Sequence, residues 1–382
     1  MLRSKFPDNK QALIVSERAQ RRCSEQDNGD YDFKLLQAEA KKLRPPQLDH
    51  ATYIGPVEIR KTKTKGRGLF LTKAVKAGDL LLCEKAFAHA YAPESDDGNS
   101  KITLLMNPET NQGFMGGQAD LITMIAQKLF HNPSVAPTFT TLYHGNYEGA
   151  STPMVDGKPI VDTNARRAFI GDMMIVRATQ DLEADTEVTF WYKIPVGDHS
   201  EDPQEAHKNW EFVCDCAMCQ DVKRTKTAVI LERRKLLKQL EHAFGSSYGI
   251  KADQVERLLR ALDHTYTRPA IEVPRLLLWD PQLLLARVYI AQNNMKKALG
   301  CVGKVLSALG FIIDGVDTSS TYFRVVRWGC VIDHLVEIFL HAQNAFRAIG
   351  AGEDSKRART YAKSAYSIVV GEDISFESTY GS

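Results

Sequence analysis

The spacing of apolar residues predicts helices at the start of the chain. Residues 8–26 form a charged, Arg-rich helical pattern. In residues 31–43, Phe33, Leu36 and Ala40 share one helical face. Pro45 ends this pattern, because the residue before a proline disfavours helix. We expect two helices that pack on the next domain.

Short runs of strand-forming residues follow. Residues 57–60, 66–71 and 80–87 are separated by polar or glycine-containing turns, which is typical of a β-rich domain. Residues 95–117 are polar and predict a surface insertion, and the helical spacing of 119–130 predicts one helix within this region. Residues 131–153 read as a loop.

Two further runs, 173–178 and 187–192, predict a β-hairpin across a polar turn. The second run ends in Phe190, Trp191 and Tyr192, too many aromatic residues for a solvated edge. Because strand side chains alternate, Phe190 and Tyr192 share a face and Trp191 points away. Trp191 is therefore better explained as a core residue.

The C-terminal part of the chain is predicted to be helical. Residues 281–293 and 295–309 match much of the tetratricopeptide pattern of small and large residues, with Gln282 where tryptophan is common. A bundle that only buttresses the preceding domain is an equally good interpretation. The predicted helices are 230–244, 254–266, 281–293, 295–309, 325–349 and 355–370.

Composition and charge narrow the possible functions. The 382 residues carry a net charge of +2, which gives no reason to expect binding to nucleic acid or to a membrane. No apolar run reads as a signal peptide or a membrane span. Seven cysteines is an odd number and argues against a disulfide framework. We expect an intracellular protein of the cytoplasm, the nucleus or both.

Three of the cysteines form a C-x-C-x2-C cluster: Cys214, Cys216 and Cys219. Thiolates at this spacing can reach one Zn²⁺, which normally takes four ligands. No fourth cysteine lies nearby in the sequence. The alternative is a set of three reduced thiols without metal.

In order and spacing, these features resemble the SET-domain protein-lysine methyltransferases, most of all fungal SET proteins with tetratricopeptide-like helices. The resemblance covers about residues 57–219. It consists of a glycine-arginine-glycine strand, a turn with a following strand pair, the hairpin, and a post-SET zinc segment. These features lie at residues 65–70, 77–84 and 171–192 and at the three clustered cysteines.

The resemblance implies roles for individual residues. Backbone beside the glycine-rich turn is expected to hold S-adenosylmethionine, and Phe212 to pack against the adenine. Tyr192 is expected to be the catalytic residue that orients the lysine amine and the methyl sulfonium. The implied donor-binding residues are Lys65, Gly66, Arg67, Gly68, Asn164 and Phe212.

One motif of the family is missing. SET domains carry N-H-S-C-x-x-N directly before the hairpin; its first Asn and its His bind the methyl donor, and its Cys is the fourth zinc ligand. Asn164 resembles the final Asn, but Lys158, Pro159, Ile160 and Val161 occupy the places of N, H, S and C. We therefore expect an internal truncation near 163/164 and weak or absent donor binding. Possible substitutes as fourth zinc ligand are Cys83, His199 and His207.

The predicted fold class is α+β, in four parts. Residues 1–50 are a helical segment, 51–195 a SET-like domain, 196–224 a post-SET cysteine segment and 225–382 a tetratricopeptide-like helical domain. The expected function is methylation of lysine in a protein substrate. The alternatives are a non-catalytic SET relic that binds protein partners through its helical domain, and a zinc-containing interaction module.

Overall fold

The computed structural model describes residues 9–43, 47–62, 67–90, 103–108, 112–142, 164–190, 216–245, 250–316 and 322–381. The chain divides into two compact units. The first comprises Met1–Ile54, Cys83–Gly149 and Phe169–Met174, and the second comprises Gly55–Leu82, Ala150–Ala168 and Ile175–Ser382. Helices and small antiparallel sheets are combined without a regular β-α-β alternation, so the fold class is α+β. The predicted domain boundaries stay predictions.

The first unit opens with the two predicted helices, α1 (Lys10–Asn28) and α2 (Phe33–Lys42). The Asn9 side chain accepts hydrogen bonds from the first turn of α1, and Asp32 caps α2 in the same way. Gly29 ends α1 at φ 72°, a left-handed conformation that glycine adopts without steric cost. The two helices predicted for this part of the chain are confirmed.

A buried polar cluster ties these helices to the segment that follows. The Glu25 carboxylate lies 2.6 Å from Nδ1 of His50 and accepts the Ala51 amide at 2.9 Å. His50 Nε2 lies 3.1 Å from Glu39. Glu25 is fully buried and His50 is 2% exposed. Each buried polar group in the cluster thus has a partner, which offsets its desolvation.

The strands form four sheets. One sheet has the order β1-β4-β8-β7, a second β2-β3-β9, and two hairpins are β5-β6 and β10-β11. The strands are β1 (Tyr53–Ile54), β2 (Val57–Lys61), β3 (Arg67–Leu71), β4 (Leu80–Lys85), β5 (Leu104–Asn107), β6 (Gln112–Met115), β7 (Ala165–Ile170), β8 (Met173–Ala178), β9 (Glu187–Val188), β10 (Ile312–Asp314) and β11 (Arg324–Arg327).

The predicted pairing of 173–178 with 187–192 is wrong. Strand β8 lies between β4 and β7, and β7 and β8 are joined by a two-residue turn. Gly171 sits in that turn at φ 58°, and so short a connection makes the two strands antiparallel. Strand β9 instead pairs with β3, with Leu69 opposite Val188.

The polar insertion holds more structure than its composition predicts. Strands β5 and β6 pair antiparallel, with Leu104 opposite Met115 at one end and Asn107 opposite Gln112 at the other. The predicted helix is confirmed as α3 (Gly117–His131). The predicted loop after it is wrong in part, because a short 3₁₀ turn and α4 (Ala136–Thr140) follow.

The helical end of the chain supplies the largest core. Successive helices pack as pairs: α6 with α7, α8 with α9, and α10 with α11. Fully buried residues such as Leu262, Tyr289, Phe323, Phe339 and Phe376 fill the space between them. The helices are α5 (Ala217–Arg224), α6 (Thr227–Phe244), α7 (Ala252–Asp263), α8 (Leu276–Ala291), α9 (Met295–Ala308), α10 (Leu335–Ala348), α11 (Gly352–Val370) and α12 (Phe376–Tyr380).

Two predictions in this region need correction. Helix α8 begins five residues before Pro281, which lies inside it. The predicted helix 325–349 is two elements: strand β11, which pairs with β10, and helix α10. None of the helices in the described part of the chain has the length and hydrophobicity that a bilayer span requires.

Within the second unit, two arginines of the strand region bind backbone carbonyls of the helical region. Arg177 on β8 donates to the carbonyls of Gly371 (2.8 Å) and Gly78 (2.7 Å). Arg166 on β7 donates to the Val331 carbonyl at 3.2 Å and pairs with Asp333. These contacts fix β7 and β8 against the C-terminal helices.

Candidate functional site

The structure describes some of the predicted site residues and not others. Arg67, Gly68, Asn164, Cys216 and Cys219 lie in described segments. The rest lie outside the described residues: Lys65, Gly66, Tyr192, Phe212 and Cys214.

Gly68 lies on β3, opposite Arg60 of β2. A Cβ atom on Gly68 would lie 2.7 Å from Oε1 of Glu187 and 2.8 Å from the Phe70 ring. These separations are too short for real atoms, so any larger residue at this position would force the Glu187 carboxylate or the Phe70 ring to move. The space next to Gly68 is therefore filled by the protein's own side chains, and a ligand that approaches from this side must displace Glu187.

Asn164 is buried and holds the β9 segment through its side chain. Its amide nitrogen donates to the Glu187 carbonyl at 2.7 Å, and its side-chain oxygen accepts the Thr189 amide at 2.8 Å. Its own carbonyl accepts the Thr179 amide at 2.9 Å. These bonds fix β9 beside the end of β8, since both amide atoms of Asn164 have backbone partners.

Strand β9 brings two predicted donor-binding residues together. Gly68 faces the Glu187 side chain, and Asn164 binds the Glu187 and Thr189 backbone. Gly68 and Asn164 are almost one hundred positions apart in the sequence. In the structure both contact the short segment 187–189. Glu187 itself was not singled out by the sequence, where it is one carboxylate in a strand pattern.

Phe190 is the residue of the predicted aromatic wall that the structure describes. The guanidinium of Arg167, on β7, lies 5.1 Å from the centre of the Phe190 ring. A cation at this distance is attracted to the ring face. Arg167 thus orients the ring two residues before Tyr192. The residue types around Arg167 indicate no special role, since this arginine is one polar position of a strand pattern.

The cysteine cluster is described in part. Cys216 is buried and caps α5: its Sγ accepts the Cys219 amide at 3.3 Å. Cys219 lies in the first turn of the helix, so the two thiols share one helix end. Among the described residues no group of three or more His, Cys, Asp or Glu side chains could hold a metal ion.

The arrangement of these two thiols is compatible with zinc. Cys216 and Cys219 lie at one helix end, and soft thiolate ligands suit Zn²⁺. Of the three candidate fourth ligands, Cys83 is buried on β4. The other two, His199 and His207, lie outside the described residues.

Two other cysteines, the buried Cys301 and the partly buried Cys330, have a different character. Burial raises the pKa of Cys301 to about 11 and that of Cys330 to about 12. Both therefore remain protonated thiols at neutral pH. A protonated thiol is a poor nucleophile and a poor metal ligand, so these residues act as small apolar side chains of the helical core.

No family model matches the chain. The chain is similar to a protein of Gibberella zeae named methyltransferase: the two are 33% identical over 435 residues, which cover 97% of this chain and 59% of the relative. The chain thus spans 59% of the length of this curated relative.

The aligned length indicates residues that this chain lacks. Of its 382 residues, 97% is about 371, whereas the alignment extends over 435 positions. At least about 64 aligned positions, the difference between these lengths, therefore have no counterpart here.

Proposed function

We propose that this chain has the scaffold of a SET-type, S-adenosylmethionine-dependent protein-lysine methyltransferase, with a weakened donor site. The observation that carries the proposal is the similarity to a protein named methyltransferase over 97% of the chain. The order of the sequence motifs supports the SET type. The pairing of β3 with β9, which joins Gly68 to the Asn164 contacts, is compatible with one shared pocket.

In this proposal each part of the pocket has one task. Backbone at Lys65, Gly66, Arg67 and Gly68 binds the donor, and Phe212 packs against its adenine. S-adenosylmethionine supplies an electrophilic methyl group on a sulfonium. The substrate's lysine amine would release its proton to water, and its nitrogen lone pair would then bond to the methyl carbon while the electrons of the carbon–sulfur bond pass to sulfur.

Phe190 and Tyr192 form the wall of the lysine channel in this proposal. An aromatic wall confines the amine in line with the methyl group, and a hydroxyl on that wall orients it. The contact between Arg167 and Phe190 fixes the start of that wall.

The donor site is weakened because the N-H-S-C segment is absent. Two side chains that would bind the donor have no counterpart at residues 158–161. At least about 64 positions of the alignment with the relative have no residue in this chain, which is compatible with an absent segment. The Asn164 side chain does not replace the missing contacts, since its amide nitrogen and oxygen bind the β9 backbone.

Transfer of labelled methyl groups to lysine-containing proteins tests the catalytic proposal. The variant Tyr192→Phe should lower the rate without changing thermal unfolding, because only a hydroxyl is lost. Tyr322→Phe, at a side chain that is 53% exposed, is the matched control and should leave the rate unchanged. An unchanged rate in Tyr192→Phe would remove Tyr192 from the mechanism.

Zinc is a second part of the proposal. Cys214, Cys216 and Cys219 would hold one Zn²⁺, with a fourth ligand from elsewhere in the chain. Metal analysis of the purified protein should find about one zinc per chain. Cys216→Ser should lose it, whereas Cys23→Ser, at an exposed thiol on α1, should not. A metal-free wild-type protein would contradict the site.

A second candidate function is a SET relic that binds protein partners through tetratricopeptide-like helices. The observation that favours it is the series of helix pairs α6–α7, α8–α9 and α10–α11 with one continuous core. The transcript across Val161 and Asn164 separates the two candidates. A longer transcript that encodes N-H-S-C favours the enzyme, and a true junction favours the relic.

A further inference from the structure

An open groove of about 900 Å³ lies along α6 and α7. Its α6 side presents Arg234, Lys235, Lys238 and His242. Leu231, Lys235, Lys238 and His242 follow helical spacing and lie on one face over three turns. The remaining residues of the lining are Leu231 and Gln239 of α6 and Gln254 and Leu258 of α7.

The lining is basic and contains no carboxylate. Lys238 forms no ion pair with the residues that the structure describes. Lys235 lies 3.9 Å from Glu232, with both side chains more than half exposed. Such an exposed ion pair contributes little to stability, so Lys235 can exchange Glu232 for a carboxylate of a ligand. The groove therefore offers lysine ammonium groups and two side-chain amides to an incoming ligand.

We infer that this groove binds an acidic peptide segment of a partner protein. The inference rests on the second candidate function, the interaction module, and names its site and the chemistry of its partner. From Leu231 to His242 the helix rises about 16 Å, which matches about five extended peptide residues. Carboxylates of the peptide would pair with the lysines, and an apolar side chain would contact Leu231 and Leu258.

The same observations favour a peptide over a nucleic acid. Single-stranded nucleic acids are bound by basic grooves with aromatic side chains on which bases stack. The lining of this groove contains two leucines and no aromatic residue.

Fluorescence anisotropy with the full-length protein tests the inference. The probe is a labelled ten-residue peptide of aspartate and glutamate with two leucines, and its partner probe has asparagine and glutamine in place of the acids. The variant K235E/K238E reverses two charges in the groove. The matched control is K296E/K304E, which makes the same change at two exposed lysines of α9 outside the groove.

The acidic probe should bind the wild type, and K235E/K238E should weaken that binding by about tenfold or more. K296E/K304E should stay within about twofold, the amide probe should bind weakly, and higher salt should weaken the acidic probe. Equal binding to the two double variants would overturn the inference, as would no binding or displacement by lower concentrations of single-stranded RNA. The assay contains no methyl donor and does not depend on the junction at 163/164. A negative result would therefore overturn the peptide site alone, and the methyl-transfer assay and the transcript would still decide between the two candidate functions.

Discussion

The strand region between β2 and β9 and the helical region from α5 to α12 are stabilised in different ways. The helical region buries large apolar side chains between helices that are neighbours in sequence. The strand region also buries apolar side chains, such as Leu81 and Ile175, and it adds buried polar contacts between distant positions, such as that of Asn164 with the Glu187 carbonyl. The candidate site therefore depends on a few specific contacts between distant positions, whereas the helical core is spread over many apolar side chains.

The largest effect is expected from a cavity in the helical core. Phe339 is fully buried and its ring contacts Phe311, Phe323 and Tyr361. Phe339→Ala should lower the free energy of unfolding by about 3–5 kcal/mol. Phe169→Ala, at a ring that is 69% exposed, should change it by less than about 0.5 kcal/mol. Denaturant unfolding measures both, and equal losses would contradict the comparison.

A smaller effect is expected from the polar contacts of the strand region. Asn164→Ala removes the partners of the Glu187 carbonyl and the Thr189 amide, which should cost about 2–3 kcal/mol. Asn164→Asp keeps the acceptor for Thr189 and loses the donor to Glu187, so its cost should also be substantial. Hydrogen exchange at Thr189 should accelerate in Asn164→Ala. Unchanged protection there would mean that Asn164 does not hold β9.

The smallest effect is expected from an ion cluster of the helical region. Hydrogen bonds from Arg287 (2.7 and 2.8 Å), His334 and His341 lower the pKa of Glu337 from 4.5 to about 2. A lowered pKa in the folded state stabilises the protein above the unfolded pKa, and that contribution is lost as pH falls toward 2. Since the side chain is 32% exposed, solvent screening limits the contribution to about 1–2 kcal/mol.

The free energy of unfolding of Glu337→Gln, measured between pH 3 and pH 7, tests the direction of this pH dependence. The variant should be less stable than the wild type at pH 7, and the difference should shrink below about pH 4.5. A difference that grows as pH falls would contradict the assignment. Glu377→Gln, at an exposed carboxylate on α12, is a control for general charge effects.

The sequence predicted most helices because their apolar spacing is regular over many residues. It placed the start of α8 too late, since Leu276, Leu277 and Leu278 form an unbroken apolar run without helical periodicity. It also merged β11 with α10. There, Val325 and Val326 are β-branched and Gly329 separates the strand from the helix, which a longer apolar pattern obscures.

The sequence predicted the candidate site less completely, because strand partners are not encoded locally. Residues 173–178 and 187–192 are neighbours in sequence, and the simplest prediction joins them. In the structure β9 pairs with β3, more than one hundred residues earlier. The space beside Gly68 and the two contacts of Asn164 follow from that pairing, so neither could be read from residue types alone.

Isothermal titration of the purified chain with S-adenosylmethionine tests the central claim most directly. The claim is a SET-type scaffold whose donor site lacks the N-H-S-C contacts. It predicts a dissociation constant weaker than about 100 μM, or no measurable heat, in a protein that is folded by circular dichroism. Binding with an ordinary low-micromolar dissociation constant would contradict the account, because an intact donor site would then exist without that segment.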